Sequence, residues 1–107
     1  MMDIMNIVRS RNGVPIRLSS ERWSHILSRH PEMDACQIQV FETLAEPDFI
    51  QAGDSGEILA IRRYDATQLG RKYIVVAYRE ISTTEGFVLT AYLTRRPSQQ
   101  REILWTR

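Results

Sequence analysis

The chain holds two histidines, His25 and His30, within one short segment, Arg22-Trp23-Ser24-His25-Ile26-Leu27-Ser28-Arg29-His30-Pro31-Glu32-Met33. Five residues of helix rotate the second side chain past the first. The pair therefore cannot form the i, i+4 clasp of a zinc helix. What remains for imidazoles is proton transfer or a structural role. His30 precedes Pro31, which disfavours helical geometry at His30 and ends the helix there. At a helix C-terminus the free carbonyls attract positive charge, which suits a proton donor. His25 lies inside the helix, two residues after Trp23. The bland alternative for each is a capping or half-buried histidine.

A second segment, Gly86 to Thr94, alternates as a strand does. Phe87, Leu89, Ala91 and Leu93 point one way and are expected to face the helices. Val88, Thr90, Tyr92 and Thr94 point the other way, which sets a row of hydroxyls on the opposite face. Arg79 closes the neighbouring strand, and Arg62 and Arg63 close the one beyond. Only one of Arg62 and Arg63 can share the hydroxyl face; with Leu59 and Ile61 in the core, that residue is Arg62. The guanidinium fork suits bidentate contact with phosphate. The alternative is surface ion pairing with Glu57, Asp65 or Glu80, which stabilises little. Tyr92 and Tyr73 offer rings on which bases could stack. Imidazoles, guanidiniums and hydroxyls on one cleft would make a phosphoryl-transfer groove.

These groups need a scaffold. Ile4 to Val8 reads as a short strand, Arg11-Asn12-Gly13 as a turn, and Val14 to Leu18 as the returning strand. Pro15 confines that strand to an edge or makes it irregular. Ser19 or Ser20 caps a helix to about Arg29, with Trp23, Ile26 and Leu27 on one apolar stripe. Asp34 caps a second helix to about Ala45, closed by Pro47. From there the period changes to two: Asp48 to Ala52, Glu57 to Tyr64, Lys72 to Glu80, Gly86 to Thr94, and an edge at Ile103 to Trp105. Lys72 to Glu80 is nearly continuous in apolar residues, as expected of a strand covered on both faces. The order predicts one α+β domain over residues 1–107. Its N-terminal hairpin and two helices pack on a four- to five-stranded antiparallel sheet.

Composition narrows the classes. With 107 residues, 43% hydrophobic and 25% charged, the chain is sized for one ordinary folded core. No apolar run approaches a membrane span, and the start Met1-Met2-Asp3-Ile4-Met5 is too short and acidic for a signal peptide, so cytoplasmic residence is expected. The lone Cys36 excludes an internal disulfide and a zinc ribbon, and reads as a small buried hydrophobe. The formal net charge is only +1, low for a domain gripping phosphate backbones. Yet Glu32 to Glu57 holds seven acids and no base, while the tail from Arg95 holds four arginines against Glu102. A near-neutral sum can hide a basic groove backed by an acidic face.

The strings LSSERWSHI (18–26), RHPEM (29–33), TLAEPD (43–48), KYIVVAYRE (72–80) and GFVLTAY (86–92) together resemble the nuclease-like domains of phages and bacteria in the barnase–EndoU–colicin–RelE class. The resemblance covers roughly residues 14 to 107. It implies a barnase- or RelE-like fold and metal-independent cleavage of RNA by attack of the ribose 2′-hydroxyl, with no cofactor. It points to His25, His30, Arg79 and Thr90 as catalytic residues. Arg62, Tyr92, Thr94 and Tyr73 are the expected substrate-binding set. The implied partners are RNA and an antitoxin or immunity protein, as for a toxin or phage-derived effector. This sequence departs from some relatives in lacking a strand carboxylate placed as a general base. Two further readings stand beside it: an inactive module of the same fold that binds RNA or a protein, and a homodimer joined through an edge strand.

Overall fold

A computed structural model describes residues 4–107. Met1 to Asp3, part of the stretch weighed above as a signal peptide, lie outside the described residues. The chain opens with a hairpin of β1 (Ile4–Arg9) and β2 (Pro15–Ser19). Its turn is drawn tight by Gly13, whose φ of 84° suits a residue without Cβ. The Gly13 amide donates to the Ser10 carbonyl and the Ser10 amide to the Val14 carbonyl, both at 2.8 Å. Pro15 occupies the first position of β2, where a missing N–H costs no ladder bond. The strand is therefore not confined to an edge: it lies between β1 and the strand Glu85–Thr94.

Helix α1 (Ser20–Arg29) starts where Ser19 Oγ accepts from the Arg22 amide at 3.1 Å, and it buries Trp23 and Ile26. It ends at His30, whose backbone leaves the helical region ahead of Pro31. Asp34 was expected to cap the next helix, but Pro31–Cys36 instead winds as a 3₁₀ segment. With three residues per turn, Met33 and Cys36 share one face, and both are buried. Helix α2 (Gln37–Ala45) begins only after that, with no side-chain cap. Then come β3 (Phe49–Ala52), β4 (Ile58–Thr67), β5 (Gly70–Ser82), β6 (Glu85–Thr94) and β7 (Ile103–Thr106).

The sheet corrects the expected four- to five-stranded antiparallel architecture. Over the described residues it has seven strands, in the order β1-β2-β6-β5-β4-β3-β7, and is mixed. The hairpin is not a separate element; β2 joins β6 in parallel at Ile16–Gly86 and Arg17–Phe87. A parallel pair needs a long crossover, here everything from α1 to β5, so neighbouring residues do not announce it. At the far side β7 adds antiparallel to β3. No helix among the described residues is long and apolar enough to cross a membrane.

One face of the sheet packs on the helices. Ile16, Leu18, Ile74, Val76, Tyr78 and Val88 meet Trp23, Ile26, Met33, Val40 and Leu44 there. Each fully buried Ile or Leu contributes about 1.5–3 kcal/mol relative to exposure. The outer face has its own apolar layer of Leu59, Ile61, Val75 and Ala77, with Phe49, Tyr73, Leu89 and Tyr92 packed against it. Ile74 to Tyr78 of β5 are all buried, since both sides are covered.

The expected phase of β6 holds for only half the strand. Ala77 faces Thr90 while Tyr78 faces Val88, so Leu89 is an extra residue, a β-bulge. Ala91 and Leu93 join the helix-face core. Before the bulge the phase inverts: Val88 is buried in that core, and Leu89 packs with the outer layer. Phe87, the neighbour of Val88, thereby turns outward, where the Arg17 guanidinium lies 5.6 Å from its ring.

Two residues test this packing. A Cβ at Gly86 would sit 2.5 Å from both the Arg79 carbonyl oxygen and Ile16 Cδ1. Gly86→Ala is expected to cost about 1–3 kcal/mol, read as a lower denaturant midpoint at unchanged slope. The Tyr78 hydroxyl is buried without a hydrogen-bond partner among the described residues. Burial also pushes its phenol above the usual tyrosine range. Tyr78→Phe removes an unsatisfied group at constant shape, so stability should hold or rise by about 1 kcal/mol in thermal unfolding.

Candidate functional site

The short β2–β6 contact decides where α1 goes. Beyond Phe87 no strand among the described residues pairs with the free edge of β6; α1 and the 3₁₀ segment pack along it instead. The polar stripe of α1 thereby rims the outer face. A cavity of about 380 Å³ opens there, lined by Arg17, Ser19, Glu21, Arg22, His25, Phe87 and Val88. Arg17 Nη1 lies 3.2 Å from Glu85 Oε1 as well as near the Phe87 ring. Arg22 is three residues before His25 and Glu21 four before it, so all three share one face of α1.

Further along the same rim, the His30 ring sits 5.6 Å from the Tyr92 ring, tilted by 35°. His30 Nδ1 is 3.8 Å from Glu32 Oε2. Thr90 lies opposite Ala77 on the outer side of β6, between the bulge and Tyr92. Thr94 pairs in register with Tyr73. Its Oγ1 accepts from the Arg96 amide at 3.3 Å and is within 3.2 Å of the Arg96 carbonyl, holding the start of the next segment.

Of the expected site residues only His25 lines the cavity beside α1, and two of the others, Arg79 and Arg62, point away from the rim altogether. Arg79 pairs in register with Phe87, but its guanidinium extends the other way, toward the β3–β4 loop. A Cβ at Gly56 would lie 3.4 Å from Arg79 Nη1. The Glu57 carboxyl in that loop is held below the usual carboxylate range. Backbone amides of Ser55 and of Glu57 itself are the main cause, with the positive charge of Arg79 adding to them.

Arg62 does not share the hydroxyl face. Leu59 and Ile61 are buried, but in the outer layer, so alternation turns Arg62 to the helix side. There it donates to the Glu46 carbonyl at 3.1 Å and lies 5.5 Å from the Tyr64 ring. Arg63 takes the outer side, opposite Tyr73, with Nη2 3.3 Å from Asp65 Oδ1. Arg62 would face outward only if the sheet had a single apolar face, and the outer layer gives it a second.

The sequence reading did not single out Arg17, Glu21, Arg22 or Phe87. The helical spacing of Glu21, Arg22 and His25 was a usable signal; Arg17 and Phe87 meet only through the parallel pairing. Together these groups surround a cavity with two guanidiniums, one carboxylate and one imidazole, in which Arg22 can hold an oxyanion beside a proton carrier. Among the described residues, no three His, Cys, Asp or Glu side chains are grouped so as to hold a metal ion.

No family model, no curated protein and no solved structure matches this chain. Its chemistry is therefore read from its own geometry. The His30–Tyr92 contact is checked by NMR: His30→Ala should shift the Tyr92 ring protons and leave the core methyl resonances in place.

Proposed function

We propose that this chain is a metal-independent endoribonuclease of the toxin or phage-effector type, using the outer-face rim formed by α1 and β6. One observation carries the reading: Arg17, Arg22 and His25 line a single cavity, and the second imidazole, His30, follows on the same rim against Tyr92. The resemblance of the α1 and β6 strings to nuclease-like domains points to the same two elements.

The chemistry follows from these groups. One imidazole takes the proton of a ribose 2′-hydroxyl, and the oxygen attacks the adjacent phosphorus. The other protonates the departing 5′-oxygen, leaving a 2′,3′-cyclic phosphate. His25 is the nearer to the guanidiniums of Arg17 and Arg22, which would stabilise the phosphorane's added charge. Glu21, one turn before His25, is a carboxylate on the same face and the nearest substitute for the missing strand base. The Nδ1 side of His30 is turned to Glu32, which leaves Nε2 for substrate. Tyr92 would stack a base beside it, and Thr90 would donate to a phosphate oxygen. Arg79 points to the β3–β4 loop and does not line the cavity, so a phosphate it contacts would be one outside the reacting bond.

A module that binds RNA without cleaving it is favoured by a specific feature: Arg17 already has Glu85 as a partner at 3.2 Å. Labelled RNA incubated in excess chelator separates the two. Cleavage leaving cyclic phosphate ends is expected. His25→Ala and His30→Ala should each lower the rate by about 10²-fold or more. Arg79→Ala should act mainly through binding. No cleavage by the wild-type protein, or cleavage at the wild-type rate by both histidine variants, would defeat the nuclease reading.

A further inference from the structure

The segment joining β6 to β7 does something that neither the histidine rim nor the core requires. It has to travel from one region of the sheet to the far edge, because β6 and β7 are separated by β5, β4 and β3. It does so across the outer face, roofing the apolar layer of Leu59, Ile61 and Val75. The crossing is pinned at several points. Gln51, only 2% exposed, donates from Nε2 to the Ser98 carbonyl at 2.7 Å. Arg101 forks onto Asp54 at 2.8 and 3.3 Å, and the Ala52 amide donates to the Glu102 carbonyl at 2.9 Å.

Between this strap and the sheet lies a second cavity, of about 470 Å³. Its chemistry is specific. Arg95 and Arg96 enter it exposed, and among the described residues neither guanidinium has a carboxylate within ion-pair distance. Phe49 and Tyr73 supply two aromatic rings to the same space. Arg101 also lines it, but its charge is met by Asp54. Two free positive charges beside two rings match a phosphate with its attached base. Backbone-tracking cations interleaved with stacking rings are the ordinary means of holding single-stranded nucleic acid. A protein partner with acidic side chains would use the cations and leave the rings without purpose.

Tyr92 links this cavity to the histidine rim. It packs against His30, and it lines a smaller space, about 120 Å³, that shares Arg96, Gln51 and Arg101 with the larger one. The ring is thus a step on one continuous outer-face path.

We infer that the cavity under the strap is a second binding site, taking a phosphate and the adjoining base of a single-stranded RNA whose reacting bond lies at the histidine rim. The inference rests on reading that rim as an RNA-cleaving site. It makes the strap a distant subsite, so that a substrate of several nucleotides is held better than a dinucleotide.

The test is binding, read by fluorescence anisotropy on RNA blocked against cleavage by 2′-O-methylation. One probe is a dinucleotide; the other has about 12 nucleotides, near the upper range of single-strand footprints. Arg95→Ala/Arg96→Ala should weaken the long probe and lower its salt slope by about 1.4, the value for two lost single-strand phosphate contacts. Dinucleotide affinity should not change. Tyr73→Ala should cost about tenfold on the long probe, with Tyr73→Phe restoring it, because stacking needs the ring and not the hydroxyl.

Equal losses on both probes, or none on the long one, would overturn the subsite. So would an acidic peptide that binds as tightly as the RNA and depends on the same two arginines. The underlying reading fails separately. Selective loss of long-RNA binding in a protein that cleaves nothing keeps the subsite and removes the nuclease. Cleavage by a protein whose double variant binds normally does the reverse.

Discussion

The arrangement of this molecule depends on a two-residue parallel contact. Ile16 and Arg17 of β2 meet Gly86 and Phe87 of β6, and the pairing stops there. It can form only because position 86 lacks a side chain, since a Cβ would press on the Arg79 carbonyl and on Ile16. Its brevity matters as much as its existence. A longer parallel ladder would have filled the edge of β6 with strand and left α1 on the helix face alone. Because β2 gives way to helix at Ser20, α1 runs along that edge with Trp23 and Ile26 turned in and Arg22 and His25 turned to the rim.

The bulge at Leu89 adapts β6 to this contact. At its start the strand has to present Gly86 and Val88 to the helix-side core; further on it has to present Ala91 and Leu93 there. These positions have opposite parity, and one inserted residue is the smallest change that reconciles them. The same insertion puts Phe87, Leu89, Thr90 and Tyr92 on the outer side. That face becomes partly apolar and needs a cover, which the segment after Thr94 provides. The first hairpin's tip reaches back over the end of β5, where Asn12 Nδ2 donates to Glu80 Oε1 at 3.0 Å, and Arg11 there stands 4.6 Å from the Trp105 ring of the last strand. A cation–aromatic contact of this kind is worth about 0.5–1 kcal/mol at an exposed site. It ties the first hairpin to the last strand.

Local features were legible in the sequence and relational ones were not. A serine cap at Ser19 or Ser20, His30–Pro31 as stop, Asn12-Gly13 as turn and the apolar run of β5 each follow from a few neighbouring residues, and each stands in the structure, with Ser19 as the cap. Seven-stranded mixed pairing does not follow, because the partner of β2 lies beyond two helices and three strands. The misplacement of Arg62 has the same origin. Alternation correctly separated it from Arg63, but which side counted as core depended on a roof contributed by residues 95–101. For the candidate site, His25, His30 and Tyr92 lay within readable segments. Arg17 became their neighbour only through the parallel contact.

The distribution of charge explains how a chain of net charge +1 can offer a basic surface. The acids between Glu32 and Glu57 are largely engaged. Glu32 faces His30, Glu42 accepts from the Tyr64 hydroxyl, and Glu46 meets Arg62. Asp48 accepts from the Arg63 amide and pairs with Arg107, and Asp54 holds Arg101. Most of these contacts are on exposed side chains and add little stability one by one. Their effect is spatial. They tie down Arg62, Arg101 and Arg107, while Arg22 at the first cavity and Arg95 and Arg96 at the second lack such partners among the described residues. Within roughly a Debye length of 8 Å at physiological salt, a ligand meets this local excess rather than the sum over the chain. The whole-chain charge is thus a poor guide to what the outer face attracts.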